Sequence, residues 1–317
     1  MFARTIKPAW WVSLALTAAG CAGGEVEPRG ADASATPDAA DVATQQDAPR
    51  DAAVDTSVDV TVTDAPAVDD QPVTPPRDGG PTCMGNRDGV IERSEMAFLL
   101  GASVIYAVNR AGTTVDPVDT AGMTTASGRV WNYSAADPQD QRVLDEVTPP
   151  TGQWWSSSYA DATFAAVVDR STNLLGVYRV SDGALELLGT VSTEQNRTNL
   201  RFTPPVAVLR FPLRMGATWT QTVTGLGTVN YTPLTNTTVY TSRIDADGEV
   251  WTPAGRFRAL RMRTDLDQSI PLTVFRTTRR TYTFITECWG VVARVASVDN
   301  ESAEEFRRAS EYRRLGL

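Results

Sequence analysis

No histidine occurs anywhere in the 317 residues, and the only lysine is Lys7. Those two absences exclude whole classes of chemistry. Ser-His and Cys-His nucleophilic systems need an imidazole, as do His-ligated zinc and haem. Once the N-terminus is removed, lysine Schiff bases and Ser-Lys dyads are excluded as well. Only carboxylate chemistry and metals held by oxygen ligands remain. Cysteine is scarce too, with three residues at positions 21, 83 and 288.

Charge is unevenly placed. Residues 1–24 carry Arg4 and Lys7 for +2, residues 25–82 carry thirteen acidic and three basic side chains for −10, and residues 83–317 come to −1. A folded part this close to neutral has no basic face for nucleic acid, so nucleic acid is not an expected partner.

The opening MFARTIKPAWWVSLALTAAGCAGG has a positive start and an apolar run from Ala9 to Ala19. That run is about half the ~20 residues that span a bilayer, so residues 1–20 read as a signal peptide and the protein as exported. The run ends in Ala18-Ala19-Gly20-Cys21. This end resembles the lipobox of bacterial lipoproteins, except that Ala18 stands where leucine is usual. The resemblance implies that Cys21 is lipidated and anchors the chain to a membrane, most naturally the outer membrane of the cell envelope. Ordinary cleavage leaving a free thiol is the alternative. With Cys21 so used, Cys83 and Cys288 remain, and in an oxidising compartment they are expected to pair. That bridge would close a long loop, worth about 5 kcal/mol in the chain-entropy picture.

From Glu25 to Pro81 there is no Leu, Ile, Met or aromatic residue. Such a segment cannot bury enough apolar surface to offset its ordering entropy, so 21–82 is expected to be a disordered acidic linker behind a lipidated N-terminus. As a flexible chain it would span about 40–45 Å, more with self-repulsion.

Residues 83–317 read as a single all-β domain of antiparallel sheet, a curved half-barrel or a sandwich with one or two short helices. Segments such as LLGVYRV, ALELLGTVS, GVVARVAS and ASEYRRL have strand composition, and Ser181-Asp182-Gly183 marks a turn. Period-two alternation puts Tyr282 with Phe284 on one face, and Val291 with Ala293 and Val295. A short helix is expected over Arg93–Leu100, and the C-terminal AEEFRRASEY is ambiguous between helix and strand.

Phe211-Pro212-Leu213, Gly216 and Trp219, followed by Thr252-Pro253-Ala254-Gly255, Phe257 and Ala259-Leu260, resemble the FPL..G..W and TPAG.F.AL patterns of uncharacterised β-rich bacterial lipoproteins. Some of these are similar to the lipoprotein-carrier family, a curved antiparallel half-barrel around a hydrophobic cavity. The resemblance covers roughly residues 206–300. It implies a concave sheet suited to an apolar ligand and carries no catalytic residue.

Three candidate sites follow. In Trp154-Trp155-Ser156-Ser157-Ser158-Tyr159, adjacent strand tryptophans would face opposite ways, so one indole, with Tyr159, is a candidate for stacking on a sugar ring. In CMGNRDGVIERSE, Asn86, Asp88, the Val90 carbonyl, Glu92 and Glu95 occupy EF-hand positions for calcium around Gly89, but Met84 replaces the first carboxylate and no helix precedes the loop. A turn that uses the same residues is the competing reading, and no cofactor beyond weak calcium is expected. Asp145, Glu146, Asp161 and Glu287 are the carboxylates from which a glycan hydrolase could draw its pair. The sequence assigns no catalytic residue, and the expectation is a lipid-anchored binding or structural module for an apolar ligand, with carbohydrate binding as the alternative.

Overall fold

The computed structural model describes residues 83–316, apart from 97, 99–102, 127, 170–172 and 272–273. The signal segment, Cys21 and the acidic linker lie outside the described residues. The strands are β1 (Val90–Ile91), β2 (Ser103–Asn109), β3 (Met123–Thr125), β4 (Gly128–Asn132), β5 (Asp140–Glu146), β6 (Phe164–Asp169), β7 (Leu174–Val180) and β8 (Ala184–Ser192). They continue as β9 (Asn199–Arg210), β10 (Leu213–Arg214), β11 (Thr218–Val229), β12 (Thr232–Thr252), β13 (Gly255–Ser269), β14 (Arg276–Thr286), β15 (Gly290–Ser297) and β16 (Ala309–Leu315).

One antiparallel sheet runs β5-β2-β16-β15-β14-β13-β12-β11-β9-β8-β7-β6. It curves until its two ends nearly meet. Thr148, just past β5, forms an isolated antiparallel bridge with Ala165 on β6, through two N–H to O bonds of 2.8 Å. The all-β architecture is thus a nearly closed barrel. Local sequence sets the hairpins: between β11 and β12, Asn230 and Tyr231 both take left-handed φ values of 48° and 63°, the two-residue turn whose twist matches the strands. Ser181 closes the β7–β8 turn by donating its N–H to the Ala184 carbonyl at 2.9 Å.

Alternation along the strands gives the sheet two apolar faces. The interior holds Leu187, Leu200, Ile244, Leu260, Met262 and Ile285, all buried. A second apolar cluster lies on the outer face, and β4, hydrogen-bonded in parallel beside β12 from Gly248↔Arg129 to Trp251↔Asn132 and paired with β3, contributes Trp131 to it. There Trp131 is fully buried, its ring edge-on to Phe284 at 4.9 Å and its Nε1 donating to the Thr120 carbonyl at 3.0 Å. A third cluster, around Trp155, Val177 and Val191, backs β6 to β8.

Two expectations are corrected. Of the helix expected over Arg93–Leu100, the described residues show only a 3-10 turn at Arg93–Glu95, because Met96 already has extended dihedrals of φ −111° and ψ 112°. Tyr282 and Phe284 do share the outer face with Ala293 and Val295. Val291 does not: the register of β14 on β15 shifts between Phe284 and Ile285, a bulge that turns Val291 inward.

The segment from Cys83 to Met96 is fastened to the barrel at three points. Cys83 is bonded to Cys288 with a Cα separation of 5.5 Å, β1 pairs with β10, and the Cys288 N–H donates to the Glu95 carbonyl at 2.7 Å. The residues carrying the lipoprotein resemblance are fold-making. Leu213 is fully buried against β1, Trp219 donates its Nε1 to the Ala207 carbonyl at 3.0 Å, and Thr252–Gly255 is the β12–β13 turn.

Candidate functional site

Inside the barrel lies a cavity of about 300 Å³, at the lower end of the roughly 300–1,000 Å³ of ligand pockets. Its walls come from both ends of the sheet order. Phe164 on β6 stacks on Tyr178 of β7 with centroids 5.1 Å apart, and Phe98 stacks on Phe164 from the other side at 5.9 Å. Opposite them stand Tyr240, Met262 and Leu266 of β12 and β13. Farther along the same inward rows, Thr238, Gln268 and Thr277 sit in register on three neighbouring strands, all buried, so the barrel interior turns polar at that end.

One stretch of the cavity wall is charged. Arg294 on β15 faces Arg313 on β16 in direct register, and both line the cavity. Like charges opposite one another on a sheet repel. Carboxylates intervene: Glu311 accepts from Arg313 Nε at 2.9 Å, and Asp145 of β5 pairs with Arg313 from across the strand between them. Burial pulls the Arg313 guanidinium down, but Glu311 and Asp145 together outweigh it and hold the pKa well above the ordinary arginine value.

Arg294 is held differently. Its Nε is 4.0 Å from Glu311 Oε2, too far for a hydrogen bond, and both atoms are buried without a hydrogen-bond partner. Its side chain is 14 % exposed. Burial, opposed by the Glu311 charge, lowers its pKa to about 10, so it remains a cation at neutral pH. Tyr178 and Tyr106 border this group, and burial raises both phenols, Tyr106 to about 12. The wall therefore combines apolar surface with one cation whose hydrogen-bonding capacity is unmet.

Most of the candidate residues from the sequence fall elsewhere. Trp155 and Tyr159 are core residues, 1 % and 3 % exposed, and Trp154 is half-buried with its Nε1 donating to the Ser192 carbonyl at 3.1 Å. The opposite-face argument required a strand, whereas Trp155 leads into a 3-10 turn at Ser156–Ser158, which lets both rings fold onto β8. Tyr159 occupies the space above Gly189, where a Cβ would meet its hydroxyl oxygen at 2.3 Å, and it donates to Asn199 Oδ1 at 3.0 Å.

In the EF-hand-like stretch the polar groups bond to one another. Asn86 Oδ1 accepts from Asp88 N at 2.9 Å, Asp88 Oδ1 accepts from Val90 N at 2.8 Å, and buried Glu95 accepts from the backbone of Asn86 at 3.3 Å and Glu92 at 2.9 Å. Of the four hydrolase carboxylates, Asp145 and Glu146 line the cavity. Asp161 pairs with Arg179 at 3.3 Å, and Glu287 accepts from Arg87 N at 2.9 Å.

Neither arginine of the cavity wall was singled out in the sequence. A signal existed: Arg294 interrupts Val291-Val292-Ala293 and Val295-Ala296, a charge within an otherwise apolar strand.

No protein-family model and no curated protein matches this chain. Among solved structures it is similar to the hypothetical lipoprotein YmcC from Escherichia coli (K12), at 10 % identity over 70 % of this chain and 91 % of that one, with a TM-score of 0.32. It is also similar to a protein with a YmcC-like fold from Bacteroides fragilis NCTC 9343, at 12 % identity over 68 % of this chain and 94 % of that one, with a TM-score of 0.34.

Proposed function

We propose that this protein is an exported, lipid-anchored envelope module whose barrel holds an apolar ligand without transforming it. The observation that carries the reading is the aromatic and aliphatic cavity within a barrel that has side chains enough to fill most of its interior yet leaves about 300 Å³ open. Burying apolar chain there is favourable by about 0.8 kcal/mol per methylene. Roughly ten methylenes supply about 8 kcal/mol, against which the entropy of association, about 4 kcal/mol or more, is set. Anchoring by Cys21 and a long acidic linker would place the barrel near lipid, where such ligands reside.

The neutral dye N-phenylnaphthylamine should bind the full-length protein saturably with enhanced emission. Ala166→Trp, which fills the cavity from β6, should abolish that binding without unfolding the barrel. Metabolic labelling with a palmitate analogue should mark the wild type and spare Cys21→Ala. Unsaturable dye uptake, or equal labelling of both proteins, would remove the corresponding half of the proposal.

A further inference from the structure

We infer that the ligand is a single-chain amphipath with an acidic head, and that Arg294 is the residue that recognises the head. The inference rests on the apolar-cavity reading and adds the head-group chemistry to it.

Three features of the cavity lead there. Its volume, about 300 Å³, fits one acyl chain and excludes a diacyl lipid. Most of the wall is hydrocarbon and aromatic, so the occupant must be apolar over most of its length. A guanidinium nevertheless lines this wall and donates no hydrogen bond among the described residues. Arg313, its cross-strand neighbour, is fully engaged by Glu311 and Asp145. Arg279, the other cation near Arg294, is paired with Asp299 at 2.9 Å.

A buried guanidinium left without acceptors is unfavourable, and a planar carboxylate matches its paired N–H groups in geometry and charge. Glu311 already supplies negative charge 4.0 Å away, but its near oxygen makes no hydrogen bond to Arg294. An acidic ligand can supply acceptors that the Arg294 guanidinium does not find among the described residues. A fatty acid lying along Phe164 and Leu266 with its carboxylate on Arg294 supplies them.

The test uses full-length protein and displacement of N-phenylnaphthylamine by dodecanoate, methyl dodecanoate and dodecanol. For the wild type, dodecanoate is expected to displace the dye about tenfold or more tightly than the ester or the alcohol, as loss of a charge-assisted hydrogen bond implies. In Arg294→Met that preference should collapse to about twofold or less, because the cation is gone, while ester binding persists and reports an intact cavity. Arg294→Lys should recover part of the preference. If dodecanoate and its ester bind the wild type equally, the head-group assignment is wrong and the apolar-cavity reading stands. If none of the three displaces the saturably bound dye, the single-chain amphipath assignment is wrong; if the dye itself does not bind saturably, both fall. Should Arg294→Met lose ester binding as well, the Lys variant decides: an ester-level affinity for dodecanoate with ester binding intact overturns the assignment.

Discussion

Every cation in the described part of this protein is an arginine, and Arg261 shows what that permits. It is 3 % exposed, yet it reaches both oxygens of Asp245 at 2.9 and 3.0 Å, Glu305 at 2.9 Å and the Thr120 carbonyl at 2.6 Å, with its plane over Tyr282 at 4.2 Å. An ammonium has neither the fork nor the flat face for this. Arg261→Ala should cost about 3–5 kcal/mol in urea unfolding, because it leaves Asp245 buried and unpaired. Arg261→Lys should recover less than half of that loss. Arg294 is the opposite case, since lowering its pKa from 12.5 to about 10 disfavours its charged form by roughly 3 kcal/mol, at about 1.4 kcal/mol per tenfold change in the proton equilibrium. A side chain that weakens the fold in this way is consistent with the head-group role proposed for it. Its role was not legible in the sequence, because facing Arg313 depends on the β15–β16 register, which no local pattern encodes.

Among the elements, those built from local alternation were the legible ones. LLGVYRV, ALELLGTVS, GVVARVAS and ASEYRRL are β7, β8, β15 and β16 to the residue. The parallel pairing of β4 beside β12 was not, since it joins segments more than a hundred residues apart and the short strand GRVWN buries only Val130 and Trp131. The opening segment has few contacts of its own and depends on its fastenings. Its disulfide spans 205 residues of sequence. Replacing Cys83 and Cys288 together by alanine should lower the unfolding free energy by about 2–5 kcal/mol, measured by chemical denaturation. A double variant as stable as the wild type would show that β1 and Glu95 hold the segment without the covalent link.

Taken whole, the molecule has an unusual pH profile built into its composition. With no histidine and with Lys7 outside the described residues, no side chain of ordinary pKa titrates near neutrality, so the thermal midpoint should be flat from about pH 6 to about pH 9. Above that it should fall. Burial raises Tyr106 and Tyr312 to about 12, and Tyr133, Tyr178 and Tyr240 upward as well. A group whose folded pKa lies above its unfolded value stabilises fully below the unfolded value, near 10, and loses that contribution as pH rises through the folded one. Arg294, lowered instead, acts in the other direction, but one group opposes five. A midpoint that shifts between pH 6 and 9, or one that stays level beyond pH 11, would contradict this assignment.

The barrel's seam carries one more consequence. Everywhere else around the sheet, neighbouring strands are joined by ladders, fifteen paired positions in the case of β12 and β13. Between the β5 and β6 ends, among the described residues, there is the single Thr148–Ala165 bridge, and Asp145 and Val147 on one side of it and Phe164 and Ala166 on the other all line the cavity. Parting that seam breaks two backbone hydrogen bonds, a net cost of roughly 1–3 kcal/mol before packing is counted, far below the cost of unfolding a domain. If the barrel holds the proposed apolar ligand, this seam is the place where the wall would open most cheaply for exchange, leaving every other strand ladder intact.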